Sequence, residues 1–176
     1  MAKFVRSSSG WITSQRVEKV FSVSACLSED FCDWIDAWLH NGHWLFDSQT
    51  LIQTIASAKG LDLSEATWFY YEAFEEQFDP ERGWHAINPD PSFPVAVERL
   101  EGLSLAGYDV ATYSYGNVAE CSPLSCNALA DEIDVNEFCL IPTFEEAFEA
   151  VAAGRFNLSE PGPYRILAVH TWNGPD

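Results

Sequence analysis

From Val20 onward the chain carries twenty-six Asp and Glu against five basic residues, Lys59, Arg82, Arg99, Arg155 and Arg165, and no motif constrains the fold as strongly. A carboxylate taken out of water without a partner costs several kcal/mol or gives up its charge. Five cations cannot pair twenty-six anions, so the acids must stand outside and each element must keep one uninterrupted apolar face for the interior. Material for that interior is plentiful, since 47% of the residues are hydrophobic, with twelve Phe, seven Trp and six Tyr. This separates the chain from disordered acidic sequences. Its 176 residues suffice for one domain, or two small ones sharing an interface, without disulfide staples.

Both secondary-structure periods are present, so the expected class is α+β, a small mixed sheet with packed helices. Arg16 to Ala25 alternates polar and apolar residues and predicts a strand. Ser28-Glu29-Asp30 predicts a helix start, followed by Phe31, Trp34, Ile35, Trp38 and Leu39 at helical spacing up to Asn41-Gly42. A second helix is expected from a cap at Asp47 or Ser48, with Leu51, Ile52, Ile55 and Ala56 on one face and Gly60 as its stop. The run Trp68-Phe69-Tyr70-Tyr71 suits either a helix begun at Ser64 or a buried strand, and periodicity does not choose between them. Pro, Gly, Asn and Asp mark residues 81–94 as a loop. Beyond it the pattern predicts a helix over Val95 to Leu105 and a strand over Tyr108 to Tyr115. A Cys-bearing loop, a strand at Glu137 to Ile141, a helix capped by Thr143 and a strand from Tyr164 to Thr171 follow.

The chain thus divides into a basic arm over 1–16, a lobe over 17–80 and a lobe over 95–176, separate or merged in one compact domain. An order of parts recurs. Trp44-Leu45-Phe46, a Ser48 cap, a helix, Leu63-Ser64-Glu65 and an aromatic run are matched by Cys139-Leu140-Ile141, a Thr143 cap, a helix, Leu158-Ser159-Glu160 and Tyr164 to Leu167. If the repetition is genuine, the lobes are two strand-helix-strand units and residues 68–71 form a strand.

The charge excludes nucleic acid as a direct ligand of the body, because a polyanion is repelled at every range that salt does not screen. No segment approaches the ~18 to 20 apolar residues of a membrane span, and Met1 to Ser14 lacks the apolar stretch of a secretion signal. The odd set of five Cys (26, 32, 121, 126 and 139) predicts reduced thiols in the cytoplasm. No P-loop, dinucleotide fingerprint, nucleophile elbow or zincin motif is present, and no cofactor is expected. Cys121 and Cys126 with a distant Cys139, and His40 near His43, lack the short paired spacings of zinc sites, so no metal is expected either. A cysteine-dependent enzyme built on the Cys121–Cys126 loop would need a base and a positive surrounding. Neither is near in sequence, and the acids are expected to raise a thiol pKa.

The carboxylates gather as Glu72, Glu75, Glu76, Asp79 and Glu81; as Asp131, Glu132, Asp134 and Glu137; and as Glu145, Glu146 and Glu149. On a helix, residues 72, 75, 76 and 79 would share one face with charges roughly 5 to 6 Å apart. A solubilising surface fits this composition, and so does halophilic adaptation, given only three Lys. A third reading is a selected interaction surface, since such a field accelerates encounter with cationic partners and costs stability through self-repulsion. On that reading Glu72, Glu75, Glu76, Asp79, Asp131, Glu132, Asp134, Glu145, Glu146 and Glu149 meet Lys and Arg of a partner. Trp38, Trp44 and Tyr71 then serve as exposed aromatic anchors.

A strand ending Ala25-Cys26-Leu27, a turn at Asn41-Gly42 leading into Trp44, a helix, and an aromatic strand ending in an acid, Trp68-Phe69-Tyr70-Tyr71-Glu72, together resemble the N-terminal part of ArdA-type antirestriction proteins. The resemblance runs from Phe21 to Phe74, with Cys32 to Leu39 looking like an insertion, and the chain after Pro80 departs from the pattern. Members of that family are small acidic proteins that imitate the charge of bent DNA and occupy the DNA-binding groove of type I restriction-modification enzymes. The resemblance implies a non-enzymatic inhibitor of a basic nucleic-acid-binding protein, acting alone or as a homodimer. An immunity protein neutralising a basic toxin shares the acidity without phosphate-like spacing, and the cysteine-dependent enzyme stands as a third class.

Overall fold

A computed structural model describes residues 2–3, 6–7, 12–24, 45–88, 97, 100–113 and 119–173. Its centre is a five-stranded sheet in the order β1 (Ala2–Lys3), β4 (Thr67–Asp79), β7 (Tyr164–Trp172) and β6 (Leu103–Thr112), with β5 (Gly83–Ala86) also paired to β4. Every pairing is antiparallel, so the sheet is not mixed as expected. β2 (Arg6–Ser7) and β3 (Lys19–Val20) form a separate two-stranded ribbon. The helices are α1 (Gln49–Lys59), the single turn α2 (Pro123–Cys126) and α3 (Phe144–Ala152). The class is α+β, and among the described residues no helix is long and apolar enough to cross a membrane.

Local chemistry sets the helix ends. Ser48 Oγ accepts from the Leu51 amide at 3.2 Å, and Gly60, at φ 70°, turns its N–H back to Ala56 and Ser57. Thr143 and Glu146 form a reciprocal capping box at the start of α3.

The aromatic run 68–71 is strand. Consecutive aromatics all find places only where both faces of a strand are covered. On one face Phe74 and Phe78 pack with Ala147 and Val151 of α3, and Trp68 packs with Ile52 and Ile55 of α1. On the other, Phe69, Tyr71 and Ala73 meet Phe21, Val23, Leu45 and Leu140. Trp84 of β5 stacks on Phe148 at 4.4 Å and closes the end of the α3 core.

Four predicted segments differ. The loop expected over 81–94 contains β5, which folds back on β4 from Asp79↔Gly83 to Glu76↔Ala86. Of the described residues 16–24 of the strand expected over Arg16 to Ala25, only Lys19–Val20 is strand; the chain is instead tied through Glu18, Lys19 and Phe21 amides to the carbonyls of Glu137 and Phe138. Glu137 to Ile141 is a turn around Asn136, whose Oδ1 accepts from the Phe138 and Leu140 amides, with Cys139 at φ 63°; Ile141 alone bridges to Tyr108. Residues 97 and 100–102 are not helical, and β6 begins already at Leu103 after Gly102 at φ 73°. The helix expected over 28–41 lies outside the described residues.

β6 shifts register between Leu105 and Gly107, and Gly107 sits at φ 145° beneath the 136–141 turn. A Cβ there would lie 2.8 Å from Leu140 Cβ and 3.0 Å from the Ile141 carbonyl oxygen, so the turn is seated directly on the glycine.

The repeated order of parts is visible in three dimensions. Among the described residues a single bridge residue, Phe46 or Ile141, stands in the place of the expected first strand; a capped helix, a turn and a strand follow in both. The two closing strands, β4 from the first lobe and β7 from the second, lie side by side from Trp68↔Trp172 to Phe78↔Tyr164, with Glu72 opposite Ala168. Both lobes therefore share one sheet.

Candidate functional site

Strand geometry divides the first acidic group. Glu72 lies beside Phe74 on β4, whose register then shifts between Ala73 and Gln77, across Glu75 and Glu76. The single face that a helix would have offered is not formed.

Several of the acids are engaged within the molecule. Glu72 Oε2 lies 2.9 Å from Nε2 of the buried His170. Asp79 accepts from the amides of Glu81 and Arg82, and the Glu81 bond leads in holding its carboxyl below the usual range. Asp131 gathers the chain at its start, accepting from the Thr13 hydroxyl at 2.7 Å and from the Thr13 and Ser14 amides; the Thr13 bonds hold its carboxyl down. Asp134 pairs with Arg16, and Glu146 closes the capping box. The carboxylates of Glu75, Glu76, Glu132, Glu145 and Glu149 make no hydrogen bond or ion pair among the described residues, and all but the half-buried Glu76 are exposed. Arg165, one of the five cations after Val20, is buried, its Nε donating to Gln77 Oε1 and its guanidinium lying 4.0 Å over the Tyr113 ring. The outer surface is correspondingly more negative.

Trp38 and Trp44 lie outside the described residues. Tyr71 is not an exposed anchor: its ring is half-buried in the cluster of Val23 and Ala73, its hydroxyl donates to the Ser22 carbonyl at 3.2 Å, and burial pushes its phenol well above the ordinary value.

The cysteine loop is better organised than its sequence suggests. Residues 119–127 are laced to the end of β6 by the pairs Thr112 N–Cys121 O and Glu120 N–Thr112 O, at 2.8 and 3.0 Å. Ser122 Oγ donates at 2.5 Å to Asp109, a fully buried carboxylate that also accepts from the Val23 amide at 2.9 Å. Cys121, Cys126 and Cys139 are reduced thiols. The upward shift expected from neighbouring acids is found at Cys139, where burial and then Asp109 push the thiol to about 12. Cys126 goes the other way, down to about 6, chiefly through a hydrogen bond from the Cys121 thiol. Its further partners are the Ser122 backbone and the hydroxyls of Ser24 and Ser125, with Ser24 about a hundred positions away in the chain. No local pattern could have announced it.

Among the described residues two hollows lie against the sheet. One, of about 290 Å³, lies between α1 and the ends of β4 and β7 against Ile52, Trp68, Tyr70 and Trp172. The other, of about 220 Å³, is lined by Glu72, Phe74, Tyr108 and Phe144. Among the described residues no group of three or more His, Cys, Asp or Glu is arranged to hold a metal ion. No protein-family model, curated protein or solved structure matches the chain.

Proposed function

We propose that the chain is an acidic binding inhibitor that occupies a basic nucleic-acid-binding surface of another protein, as a DNA mimic would, with antirestriction as the activity to test first. The observation that supports this reading is the set of exposed carboxylates without partners among the described residues, Glu75, Glu132, Glu145 and Glu149. Glu145 and Glu149 stand one turn apart on α3, a helix with no Lys or Arg. Like charges at that spacing cost roughly 0.2–0.5 kcal/mol per pair, a cost that a partner's guanidinium groups remove on binding. The same field would draw a cationic surface in at a rate that falls steeply with salt.

The test is DNA cleavage by a type I restriction enzyme with the chain titrated in, at low and at moderate salt. Inhibition at low salt that weakens as salt rises is the expected result. Glu145→Lys with Glu149→Lys leaves Thr143 and Glu146 in place and is expected to weaken inhibition at least tenfold, about 1.4 kcal/mol. Absence of inhibition at low salt, or equal inhibition by the reversed-charge variant, would overturn the reading.

A further inference from the structure

β7 runs between β4 and β6, and of its residues 164–170 only Ala168 is not buried. Its neighbours across the two ladders are Glu72 on β4 and Tyr108 on β6. Residues paired in this way point to the same face of a sheet. The Glu72 and Tyr108 backbones therefore stand about 9–10 Å apart, with one methyl group between their side chains. α1 packs on Trp68, and α3 on Phe74 and Phe78, so the row of Glu72, Ala168 and Tyr108 crosses the sheet between the two helices.

The space left over that methyl is the hollow of about 220 Å³, to which Phe74, Phe144 and Ile166 also contribute. The Phe144 ring is inclined at 62° to Phe74 and at 64° to Tyr108, with centroids 4.9 and 5.9 Å away. The three rings thus form walls rather than a stack, and each is only half-buried. The remaining wall is the Glu72 carboxylate, whose side chain is 38% exposed and whose Oε2 is held 2.9 Å from Nε2 of the buried His170. α3 starts at Phe144, and the partial positive charge of its N-terminus is answered by Glu146 in the capping box.

One carboxylate among aromatic rings selects an organic cation. The carboxylate repels anions, and the rings with Ala168 and Ile166 give a strongly hydrated metal ion nothing to replace its water, while they accept an apolar stem. Arginine suits such a place better than lysine. Its guanidinium is planar and weakly hydrated, and it can donate to a carboxylate while lying against a ring. The molecule makes one such pairing internally, where the Arg165 guanidinium lies 4.0 Å over the Tyr113 ring as its Nε donates to Gln77 Oε1.

We propose that this hollow is the receptor for one arginine side chain of a protein partner, whose guanidinium meets Glu72 while its stem lies among Phe74, Tyr108 and Phe144. The source of that arginine rests on the inhibitor reading above; the receptor rests on the geometry of the hollow. The net charge of −18 draws basic surfaces in from a distance, and the hollow supplies the contact that fixes one residue of them in place.

The experiment titrates N-acetyl-arginine N-methylamide into the full chain at about 0.15 M salt, where long-range attraction is screened. The matching citrulline compound, nearly the same in shape but neutral, is the control. Binding is read by NMR at the Ala168 methyl and at the Tyr108 and Phe144 rings. Saturable shifts are expected there, with arginine held roughly tenfold more tightly than citrulline. Glu72→Gln keeps a hydrogen-bond partner for His170 and is expected to weaken arginine binding about threefold. Ala168→Leu fills the hollow at unchanged net charge; it is expected to abolish the ring shifts and to inhibit restriction roughly fivefold less than wild type. Absence of shifts at these residues, equal binding of citrulline, or full inhibition by Ala168→Leu overturns the proposal. Undiminished arginine binding by Glu72→Gln overturns it too, even if Ala168→Leu does not fold. If the arginine compound seats in the hollow while the wild-type chain inhibits nothing, the receptor stands and the inhibitor reading alone falls.

Discussion

Replacing Asp109 by alanine removes a charge buried at 0% exposure behind the cysteine loop, and its cost follows from its partners. The buried donors that lose their acceptor include the Val23 amide at 2.9 Å and the Ser122 hydroxyl at 2.5 Å. An orphaned buried donor costs about 1–3 kcal/mol. Relief of the carboxylate's own desolvation offsets part of the sum, leaving about 2–4 kcal/mol. In a chain of this length that corresponds to a fall in Tm of roughly 4–16 °C. Asp109→Asn should differ sharply, because the amide oxygen can still accept from Val23 while the amide nitrogen donates to a rotated Ser122 hydroxyl; a loss within about 1 kcal/mol is expected. The assay is urea unfolding followed by tryptophan fluorescence with the slope m compared across variants, together with exchange of the Val23 amide. An alanine variant within about 1 kcal/mol of wild type at unchanged m, with Val23 still protected, would show that Asp109 does not hold the 21–24 segment to β6.

Gly107→Ala is expected to destabilise the chain by about 2 kcal/mol or more, since alanine is strained at φ 145° and its methyl meets Leu140 and the Ile141 carbonyl; urea midpoints measure it, and a midpoint equal to wild type would contradict the close approach. Asp131→Ala should release residues 12–17 and accelerate tryptic cleavage at Arg16, followed by gel time course. Because hydrogen bonds lower the Asp131 pKa below its ordinary 3.8, their contribution is complete above that value and is lost as pH falls through the depressed one. Protection of the Thr13 and Ser14 amides should therefore persist down to about pH 4 and disappear only in stronger acid.

What could be read from the sequence was what neighbouring residues decide among themselves. Ser48 and Gly60, and Thr143 with Glu146, mark their helices because a cap is satisfied within three or four positions. β7 was legible because its residues are apolar on both faces. The run 137–141 looked like a strand for the same reason, yet Asn136 supplies through its side chain the hydrogen bonds that a neighbouring strand would have given. Residues 16–24 alternate in sequence but are tied to a turn rather than to a strand, so little of that segment joins a ladder. The acids were legible as an exterior except for Asp109, which is fully buried against the Val23 amide and Ser122 hydroxyl; whether each of the others is spent on a turn, a cap or an anchor depended on contacts such as Thr13 to Asp131 that span most of the chain. The unusual thiol was hidden for that reason too.

The side-by-side placement of β4 and β7 bears on how the chain reaches its native state. Trp68, Phe69, Tyr71, Phe74 and Phe78 leave the ribosome well before the strand that completes their sheet, separated from it by roughly 85 residues, or on the order of 5–15 s of synthesis. During that interval an aromatic strand waits with an open edge, the kind of segment that nucleates aggregation. Glu72, Glu75, Glu76 and Asp79 are interspersed along that same strand, where mutual repulsion between nascent chains keeps the edge from finding the wrong partner. Part of the chain's acidity thus acts before there is a folded surface to present.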